Sequence, residues 1–293
     1  MEALSDVLSL FRLSASIYNN AQFCGNWKVR EHQLGNTCFH LVTVGQCRMT
    51  VPEVGDYTLN LGDLVVFPRE LDHQLLPMDS EPENSPMKMI AVNPDQPGTA
   101  LLCGELRFQH SAFNQLLDLL PEVLVIPKSQ APWIDPLLFQ IHFESVQRNP
   151  GGEAILNRLS ELLFIYALRH HLQSSEQNSF LQLYSHDDLA PALRRIHKHP
   201  NQSWTLEQLA QSCAMSRTKF ATYFKKVSGW TPNEYILWWR MQLAWSQLEN
   251  GDAIVNVAAS VGYQSEAAFS RAFKKMFSMN PGALRRQRNA NVS

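Results

Sequence analysis

The sequence predicts an α+β protein, and three observations lead to this prediction. Short β-prone runs separated by turn residues extend from Trp27 to Phe108. After Phe108, apolar residues recur instead at the spacing of amphipathic helices. The last third of the chain contains a helical segment that recurs after 49 residues. We therefore expect a β domain over residues 1–110, a helical connector over 111–180 and an all-α domain over 181–293.

The β domain is predicted from five short runs. Gly45, Gly55 and the pair Gly62-Asp63 separate the first strands at the spacing of hairpins, which favours a sandwich or a small barrel. Five prolines in residues 77–98 indicate a mobile loop interrupted by one strand. The runs are HLVTVGQCRMTV, DYTLNLGDLVVFP, HQLL, MKMIAV and LLCGELRF.

The connector is predicted from three segments with helical spacing, SAFNQLLDLL, DPLLFQIHFESVQR and GEAILNRLSELLFIYALRHHLQ. Apolar residues of the third segment form one stripe along the helix: Ile155, Leu159, Leu162, Leu163, Tyr166 and Leu172. The stripe either packs against its own domain or pairs with a second copy in a homodimer, and the sequence leaves both open. Residues 174–179, SSEQNS, are predicted to be a polar linker.

Composition excludes several classes of protein. Hydrophobic residues make up 45% and charged residues 18% of the chain, values typical of soluble globular proteins and not of disordered or fibrous ones. The longest apolar stretch, Leu162–Leu168, is far shorter than the roughly 20 residues of a transmembrane helix, so no membrane partner is expected. The N-terminus lacks the basic region of a secretory signal, which predicts a cytoplasmic protein. The five cysteines, without CxxC spacing, are expected to be reduced thiols.

Charge is distributed unevenly along the chain. Residues 1–184 contain 11 Lys and Arg against 20 Asp and Glu, a net charge of −9. Residues 185–293 contain 14 basic and 7 acidic residues, a net charge of +7. A basic C-terminal domain suits a polyanionic partner such as nucleic acid.

The repeat places residues 215–232 onto residues 264–281, so one supersecondary unit is predicted twice. Upstream, the register shifts by one residue, and Ala214 then corresponds to Gly262. Both fall at a tight turn, where a small side chain or a left-handed backbone is needed. The matched residues are Ser216 and Ser265, Phe220 and Phe269, Phe224 and Phe273, Lys225-Lys226 and Lys274-Lys275, and Pro232 and Pro281.

Each copy is predicted to be a helix-turn-helix motif. In the first copy, Thr205 and Gln208 have the spacing of a capping box, and Trp204 and Leu209 that of a hydrophobic staple. The matched serines are expected to cap the second helices, residues 217–226 and 266–275, whose phenylalanines face inward.

These second helices have the dimensions of recognition helices, which fit a major groove about 12 Å wide. Between them, PNEYILWWRMQLAWSQLEN predicts a helix of about 17 residues, roughly 25 Å long. A rod of that length can hold two recognition helices about one DNA turn, some 34 Å, apart, so that both enter successive major grooves of a bent duplex.

These motifs resemble those of a known family. WTLEQLAQSCAMSRTKFATYFKKVSGWTPNEYI and VAASVGYQSEAAFSRAFKKMFSMNPGALR resemble the DNA-binding domain of AraC/XylS-type bacterial transcription regulators, and the resemblance covers about residues 186–288. It implies that outward residues of each second helix meet double-stranded promoter DNA. They are Arg217, Thr218, Ala221, Thr222, Lys225 and Lys226 in the first copy, and Glu266, Ala267, Ser270, Arg271, Lys274 and Lys275 in the second.

Arg271 is the best candidate for reading bases, because a guanidinium can bind guanine O6 and N7 bidentately. Thr222 holds the corresponding position in the first copy, where the family often has arginine, so direct readout there is expected to be weaker. The lysines of both copies are expected to contact phosphates, which sets affinity without selecting sequence.

Much of the N-terminal part resembles the cupin-like sensor barrel of one branch of these regulators. The resemblance lies in FHLVTVGQCRMTV, LGDLVVFPRELDHQL and LLCGELRF. Metal-binding cupin enzymes usually have two histidines and a glutamate in the first motif and one histidine in the second. In this chain His40 and His73 stand at comparable places, and Cys38 precedes His40 by two residues on the same strand face.

Three hypotheses therefore remain open for the sensor. In the first, His40 and His73 are hydrogen-bonded side chains around a cavity for an organic effector. In the second, they bind a zinc or copper ion together with a thiol from Cys38 or Cys103. In the third, Cys103 and Cys24 form a redox switch, because CGELRFQHSA resembles the reactive-chlorine-responsive regulators of the family; their other cysteine corresponds to residue 21, an alanine here.

Together these features predict a cytoplasmic transcription regulator without enzymatic activity and favour an activator over a repressor. Its N-terminal domain is expected to respond to a small molecule, a metal or an oxidant, and its expected partners are promoter DNA, RNA polymerase and a second copy of the chain. The competing hypothesis is a metal-dependent cupin enzyme with an appended DNA-binding module. The absence of the second histidine and the glutamate from the first motif argues against that alternative.

Overall fold

The computed structural model describes residues 3–10, 13–78, 86–108, 117, 120–147, 149–174 and 180–292. They form two compact units. One comprises the described residues of Leu13–Phe108 and Gln115–Ser174, and the other those of Met1–Arg12 and Ser175–Ser293. This division differs from the predicted boundaries in two places. The connector helices belong to the unit that contains the β-strands, and the N-terminal segment belongs to the unit that contains the C-terminal helices.

The first unit is built on two antiparallel sheets. The larger has the strand order β10-β6-β3-β9-β1-β8 and the smaller the order β2-β7-β4-β5. The sheet-rich N-terminal unit predicted from the sequence is confirmed. The described strands are β1 Leu13–Cys24, β2 Val29–Arg30, β3 Thr37–Val44, β4 Gln46–Val51, β5 Gly55–Asn60, β6 Leu64–Phe67, β7 Gln74–Pro77, β8 Lys88–Ile90, β9 Thr99–Phe108 and β10 Leu124–Ile126.

The core of this unit lies between the two sheets. Strand β3 is buried along almost its whole length because it pairs with β6 on one side and β9 on the other. One cluster of fully or nearly fully buried residues joins the sheets: Phe23, Trp27, Cys38, Val42, Cys47, Met49, Val51, Leu59, Val65, Phe67, Leu75, Leu101 and Cys103.

Strand β1 was not among the predicted runs, yet it is one of the longest strands. It pairs with β9 along most of its length, while β8 reaches only its last residues. The N–H groups of Ala15 and Ile17 on the remaining edge donate to Glu161 Oε1 at 3.4 Å and to Asn157 Oδ1 at 3.2 Å. A helix therefore covers an edge that would otherwise be open to pairing with another chain.

That helix is α3 (Gly152–Ser174), which packs beside α2 (Ile134–Gln147). The predicted apolar stripe of α3 is split by the packing. Leu163 and Leu172 are buried, whereas Ile155 and Leu162 are 44% and 43% exposed. Of the other predicted segments, SAFNQLLDLL lies outside the described residues except for residues 117 and 120, as do residues 79–85 of the proline-rich loop and residues 175–179 of the linker.

The second unit is helical. Its described helices are α1 Ala3–Leu10, α4 Ala190–Lys198, α5 Leu206–Ser212, α6 Arg217–Ser228, α7 Pro232–Asn250, α8 Ile254–Ser260, α9 Glu266–Phe277 and α10 Pro281–Val292. Helix α1 packs against α4 and α7 and buries Ala3, Leu4 and Val7. Among the described helices of the chain, none is long and apolar enough to cross a membrane.

His197 joins α1 to this unit. Its Nδ1 lies 3.1 Å from Asp6 Oδ2, its Nε2 lies 2.7 Å from the Tyr235 hydroxyl, and its ring stacks on Trp239 at 3.8 Å between centroids. Burial lowers the pKa of His197 to about 4, although the neighbouring Asp6 carboxylate acts in the opposite direction. The imidazole is therefore neutral in the folded protein at neutral pH.

We expect acid to destabilise this unit through His197. In the unfolded chain the imidazole binds a proton below about pH 6.5, whereas in the folded chain it stays neutral down to about pH 4. Stability is therefore lost as the pH falls between these values, and the loss at pH 5 is about 2 kcal/mol. Thermal unfolding at pH 7.5, 6 and 5 checks this. His197→Gln should flatten the pH dependence of the melting temperature, and His199→Gln, at an exposed site, should leave that dependence unchanged. Equal slopes for all three proteins would contradict the expectation.

Candidate functional site

The first helix-turn-helix has the predicted caps. Thr205 Oγ1 accepts from the Gln208 N–H at 3.2 Å, and Gln208 Oε1 accepts from the Thr205 N–H at 3.0 Å, which completes the capping box. Ser216 Oγ accepts from the Lys219 N–H at 3.3 Å and begins α6. Between α5 and α6 the backbone of Ala214 is left-handed, with φ of +53°.

The second helix-turn-helix repeats the turn and the cap of the second helix, whereas its first helix, α8, has no side-chain cap. Ser265 Oγ accepts from the Ala268 N–H at 3.2 Å and begins α9. Gly262 occupies the turn with φ of +86°, and a Cβ there would lie 2.8 Å from the carbonyl oxygen of Asn201. Glycine is therefore required both by the backbone conformation and by the close approach of another segment.

Helix α7 connects the two motifs. It is capped by Thr231 and Glu234 in a second capping box, carries Pro232 in its first turn and ends at Gly251 with a left-handed backbone. It has 19 residues, slightly more than predicted, and at 1.5 Å per residue it is about 28 Å long.

The inward faces of the two recognition helices, α6 and α9, carry the same pair of phenylalanines in similar geometry. Phe220, Phe224, Phe269 and Phe273 are each fully buried. The two rings in α6 lie 5.7 Å apart with an interplanar angle of 54°, and those in α9 lie 5.7 Å apart with an angle of 51°. The repeat in the sequence therefore corresponds to a repeat in the packing of the buried phenylalanine rings.

The outward faces carry the predicted DNA-contacting residues. Among the described residues, no carboxylate lies within ion-pair distance of the lysines and arginines of these faces, although Lys225 interacts electrostatically with Glu234. Ala221 and Ser270 are half-buried. The other ten are exposed: Arg217, Thr218, Thr222, Lys225, Lys226, Glu266, Ala267, Arg271, Lys274 and Lys275.

A surface groove of about 540 Å³ runs beside α6. Thr222, Lys225 and Lys226 line one side, and residues 231–233 at the start of α7 line the other. The residue predicted to face bases and the two lysines predicted to face phosphates therefore share one open groove.

In the sensor unit, as we call the unit that contains the β-strands, the two predicted histidines touch each other. His40 Nε2 and His73 Nε2 are 2.8 Å apart, and both side chains are fully buried. His73 Nδ1 lies 2.8 Å from the carbonyl oxygen of Leu71, so it carries a proton and its Nε2 accepts the proton of His40 Nε2. Burial, reinforced by His73, lowers the pKa of His40. His40 is therefore neutral, and the two histidines are hydrogen-bonded side chains, as the first hypothesis states.

The ligand set considered for zinc or copper does not fit these positions. Two nitrogens bound to one tetrahedral zinc lie about 3.4 Å apart, farther than a hydrogen bond. Among the described residues, no group of three His, Cys, Asp or Glu side chains could hold a metal ion, and Cys38 and Cys103 do not complete one with the histidines. The metal hypothesis therefore lacks a third ligand in the part of the chain that the structure describes.

The cysteines considered for a redox switch differ in environment. Cys103 is fully buried, and burial raises the pKa of its thiol to about 12. Burial also raises the pKa of Cys38. Because the thiolate is the reactive form, neither thiol is activated in this conformation. Cys24 is half-buried, and its thiol donates to the carbonyl oxygen of Pro97 at 3.2 Å.

Two buried polar residues of this interior were not predicted. Glu70 is 2% exposed, and its carboxylate accepts from the N–H groups of His32 at 2.6 Å and Gln33 at 2.7 Å. The Tyr18 hydroxyl is buried and lacks a hydrogen-bond partner among the described residues. Tyr18 lies on β1, which was not recognised as a strand. Glu70 lies in the second motif together with Asp63 and Asp72, so the sequence did not single it out.

Comparison with known proteins agrees with both halves of the molecule. Residues 2–173 match a family model described as cupin, and residues 209–287 match one described as a helix-turn-helix domain. The chain is 30% identical over 97% of both sequences to the RCS-specific HTH-type transcriptional activator RclR of Escherichia coli. It is 29% identical to the HTH-type transcriptional regulator AlkR of Acinetobacter baylyi, over 98% of this chain and 100% of that protein. A putative AraC-like transcription regulator of Streptomyces lividans is 31% identical over 98% of each.

A cupin unit followed by a duplicated helix-turn-helix defines a regulator that combines a sensor and a DNA-binding domain in one chain. The chain belongs to the AraC family of HTH-type transcriptional regulators, in the group with an N-terminal cupin domain. The family predicted from the repeat and from the β motifs is confirmed.

Proposed function

We propose that this regulator activates transcription by holding RNA polymerase at a promoter when its cupin unit receives a signal. The observation that supports this most directly is the pair of matched recognition helices with exposed, unpaired basic faces on a unit of net positive charge. The E. coli relative, which matches along nearly the whole chain, is an activator by name. Promoter DNA lies in the bacterial cytoplasm, so this function requires that location.

The two recognition helices divide their contacts with DNA in the same way. Arg271 near the middle of α9 faces base edges, and Thr222 takes the same place in α6 with a shorter side chain and a weaker preference. The lysine pairs in the last turn of each helix face phosphates. α9 therefore contributes most of the sequence preference, and both helices contribute affinity.

An organic molecule is the signal we favour over a metal or an oxidant. Supporting this are the hydrogen bond between His40 and His73, the lack of a third metal ligand among the described residues, and the buried thiol of Cys103. The same missing ligand disfavours the alternative of a metal-dependent cupin enzyme, and the proposed function includes no catalytic step. The effector acts only if it binds more tightly to one arrangement of the protein than to another, since equal binding to both shifts nothing.

The proposed function is tested by selecting bound duplexes from a random library and placing the selected sequence upstream of a promoter for transcription with purified RNA polymerase. We expect more transcript with the protein than without it. The double variant Lys225→Ala, Lys274→Ala, with two phosphate contacts fewer, should require more protein for the same effect. A fall in transcript would refute activation, and a failure to select any sequence would refute the regulator assignment itself.

A homodimer through α3 is the second part of the proposal. Ile155 and Leu162 are seven residues apart on one face of α3 and remain exposed, whereas Leu163 and Leu172 of the same stripe are buried. We expect Ile155→Asp with Leu162→Asp to convert a dimer into a monomer in sedimentation analysis. Leu34→Asp, at another exposed apolar residue, serves as the control and should leave the dimer intact. A monomeric parent protein, or a dimer that survives both aspartates, would contradict this.

A further inference from the structure

A groove lined by basic and polar side chains lies in the helical unit, between α4 and α5. We call it the α4 groove, and it has a volume of about 600 Å³. None of the predicted DNA-contacting residues lines it, so the function described above leaves it unused. Its lining residues are Pro191, Arg194, Arg195, Lys198, His199, Gln202, Trp204, Gln208 and Ser212.

The positive charge of the α4 groove has no counter-charge beside it. Arg194, Arg195 and Lys198 are exposed, and among the described residues no carboxylate lies within ion-pair distance of them. Asp188 and Glu207 are exposed as well, but neither lines the groove. A cleft lined by charges of one sign attracts ligands of the opposite sign. The α4 groove therefore fits a polyanion.

The cations have a spacing that suits the phosphates of one DNA strand. Arg194 and Lys198 are four residues apart on α4, which is about 6 Å along the helix axis. Phosphates of one strand recur about every 3.4 Å along the duplex axis, so this span covers about two steps. An arginine can bind a phosphate with two parallel hydrogen bonds, and a lysine binds one as a point charge.

The loop that forms one wall of the groove is held by the rest of the unit. Arg240 on α7 donates from Nε to the carbonyl oxygen of Pro200 at 2.7 Å and from Nη2 to that of Gln202 at 2.8 Å. Trp204 Nε1 donates to the carbonyl oxygen of His199 at 3.1 Å. The wall is therefore ordered before a ligand binds, which lowers the entropy cost of binding.

The α4 groove adjoins the surface that the first helix-turn-helix offers to DNA. Leu206 and Gln208 both lie in the first turn of α5. Leu206 lines the groove beside α6, and Gln208 lines the α4 groove. In a helix-turn-helix complex the second helix enters the major groove and the first helix crosses the backbone. A strand that leaves the groove beside α6 and crosses the start of α5 therefore reaches the α4 groove.

We infer that the α4 groove binds phosphates of the promoter duplex, on the strand that α5 crosses beside the segment read by α6. The contact adds affinity without selecting sequence, because every sequence has the same phosphates. This inference rests on the proposed function, since it requires α6 to lie in the major groove. The competing occupant is an acidic surface of a partner protein such as RNA polymerase, and the adjoining groove beside α6 favours DNA over it.

The test removes two of the cations from the full-length protein and measures duplex binding over a range of salt concentrations. Arg195→Gln with Lys198→Gln should weaken a selected duplex and a random duplex alike, about tenfold at low salt. It should also reduce the slope of log affinity against log salt by about 1.8, or about 0.9 for each phosphate contact. Arg195→Lys keeps the charge and should keep the slope. The melting temperature should stay the same in each variant, because both side chains are exposed.

A matched control removes the same charge elsewhere. Arg48→Gln with Lys88→Gln changes two exposed cations of the sensor unit and should leave the slope unchanged. Ethylation interference on the selected duplex then locates the contact. Ethylation of about two phosphates beside one of the major-groove segments should weaken binding of the parent protein, but not of the Arg195→Gln, Lys198→Gln variant, which no longer contacts them.

Three outcomes would overturn the inference. The first is an unchanged salt slope in the Arg195→Gln, Lys198→Gln variant. The second is a variant that binds duplex like the parent but supports less transcription with RNA polymerase, which would assign the groove to a protein surface. The third is a loss of affinity with an unchanged ethylation pattern, which would show an indirect effect. Each differs from a failure of the proposed function, in which the parent protein itself selects no duplex.

Discussion

Replacing Phe273 with alanine should unfold the second helix-turn-helix or leave it only marginally stable. Phe273 is fully buried and stacks on Trp245 at 5.8 Å between ring centroids. It also packs at a tilt against Phe269 at 5.7 Å and Phe277 at 4.7 Å. Truncating a buried phenylalanine costs about 3–5 kcal/mol, because apolar contacts are lost and a cavity remains. That is a large share of the roughly 5–15 kcal/mol by which a folded domain is stable.

The measurement combines thermal unfolding with DNA binding. We expect Phe273→Ala to lower the melting temperature and to remove the contribution of α9 to affinity for a selected duplex. Phe224→Ala makes the same truncation in the first copy and should remove the contribution of α6 instead. Lys274→Ala, next to Phe273 but exposed, controls for a change in the helix itself and should leave unfolding unchanged. A Phe273→Ala protein with unchanged melting temperature and affinity would show that the repeat is not the structural unit described above.

Replacing Arg271 with alanine should relax sequence preference at particular base pairs. A bidentate contact from arginine to guanine is worth about 1–3 kcal/mol of discrimination, or about 5- to 150-fold, against the wrong base. Lys274→Ala removes one phosphate contact and should weaken all duplexes alike, with a reduction of about 0.9 in the slope of log affinity against log salt. Thr222→Ala, at the equivalent position of α6, should change specificity less than Arg271→Ala.

These expectations are measured by titrating each variant with the selected duplex, with single-base variants of it and with random duplex, over a range of salt concentrations. The two exposed side chains lie three residues apart on one helix, so differences between them report on the contact and not on folding. If Arg271→Ala and Lys274→Ala gave the same pattern across sequence and salt, the division between base and phosphate contacts would be wrong.

The C-terminal fold was predictable because its signals are local. A capping box needs only two residues three apart, as in Thr205 and Gln208, and a turn needs one small or left-handed residue, as at Ala214 and Gly262. The repeat then supplied a second copy of the turn and of the serine cap, although α8 begins after Ala253 without a side-chain cap. The extent of α7 was predicted to within two residues, since Thr231, Pro232 and Gly251 mark its ends.

What could not be predicted depends on contacts between distant segments. The strand β1 is rich in Ser and Asn, and its edge is satisfied by side chains of α3 about 140 residues away. The N-terminal helix α1 is short, and only the tertiary structure places Asp6 beside His197.

The sensor site was predicted in part. The motifs placed His40 and His73 in one interior, because strands of a barrel bring such residues together, but spacing alone could not distinguish a hydrogen bond between them from a shared metal. The bulge at Thr43 depends on how β3 pairs with β9, which one strand's sequence does not encode.

The central claim is that α6 and α9 enter neighbouring major grooves on one face of the duplex. It is tested most directly by methylation-protection footprinting on a selected duplex. A second duplex carries five extra base pairs between the two protected segments, and its affinity for the protein is measured alongside. We expect two protected major-groove segments about 10 base pairs apart, and at least a tenfold loss of affinity on insertion, because α7, about 28 Å long, cannot follow a half-turn rotation. A single protected segment, or undiminished binding after the insertion, would contradict the claim.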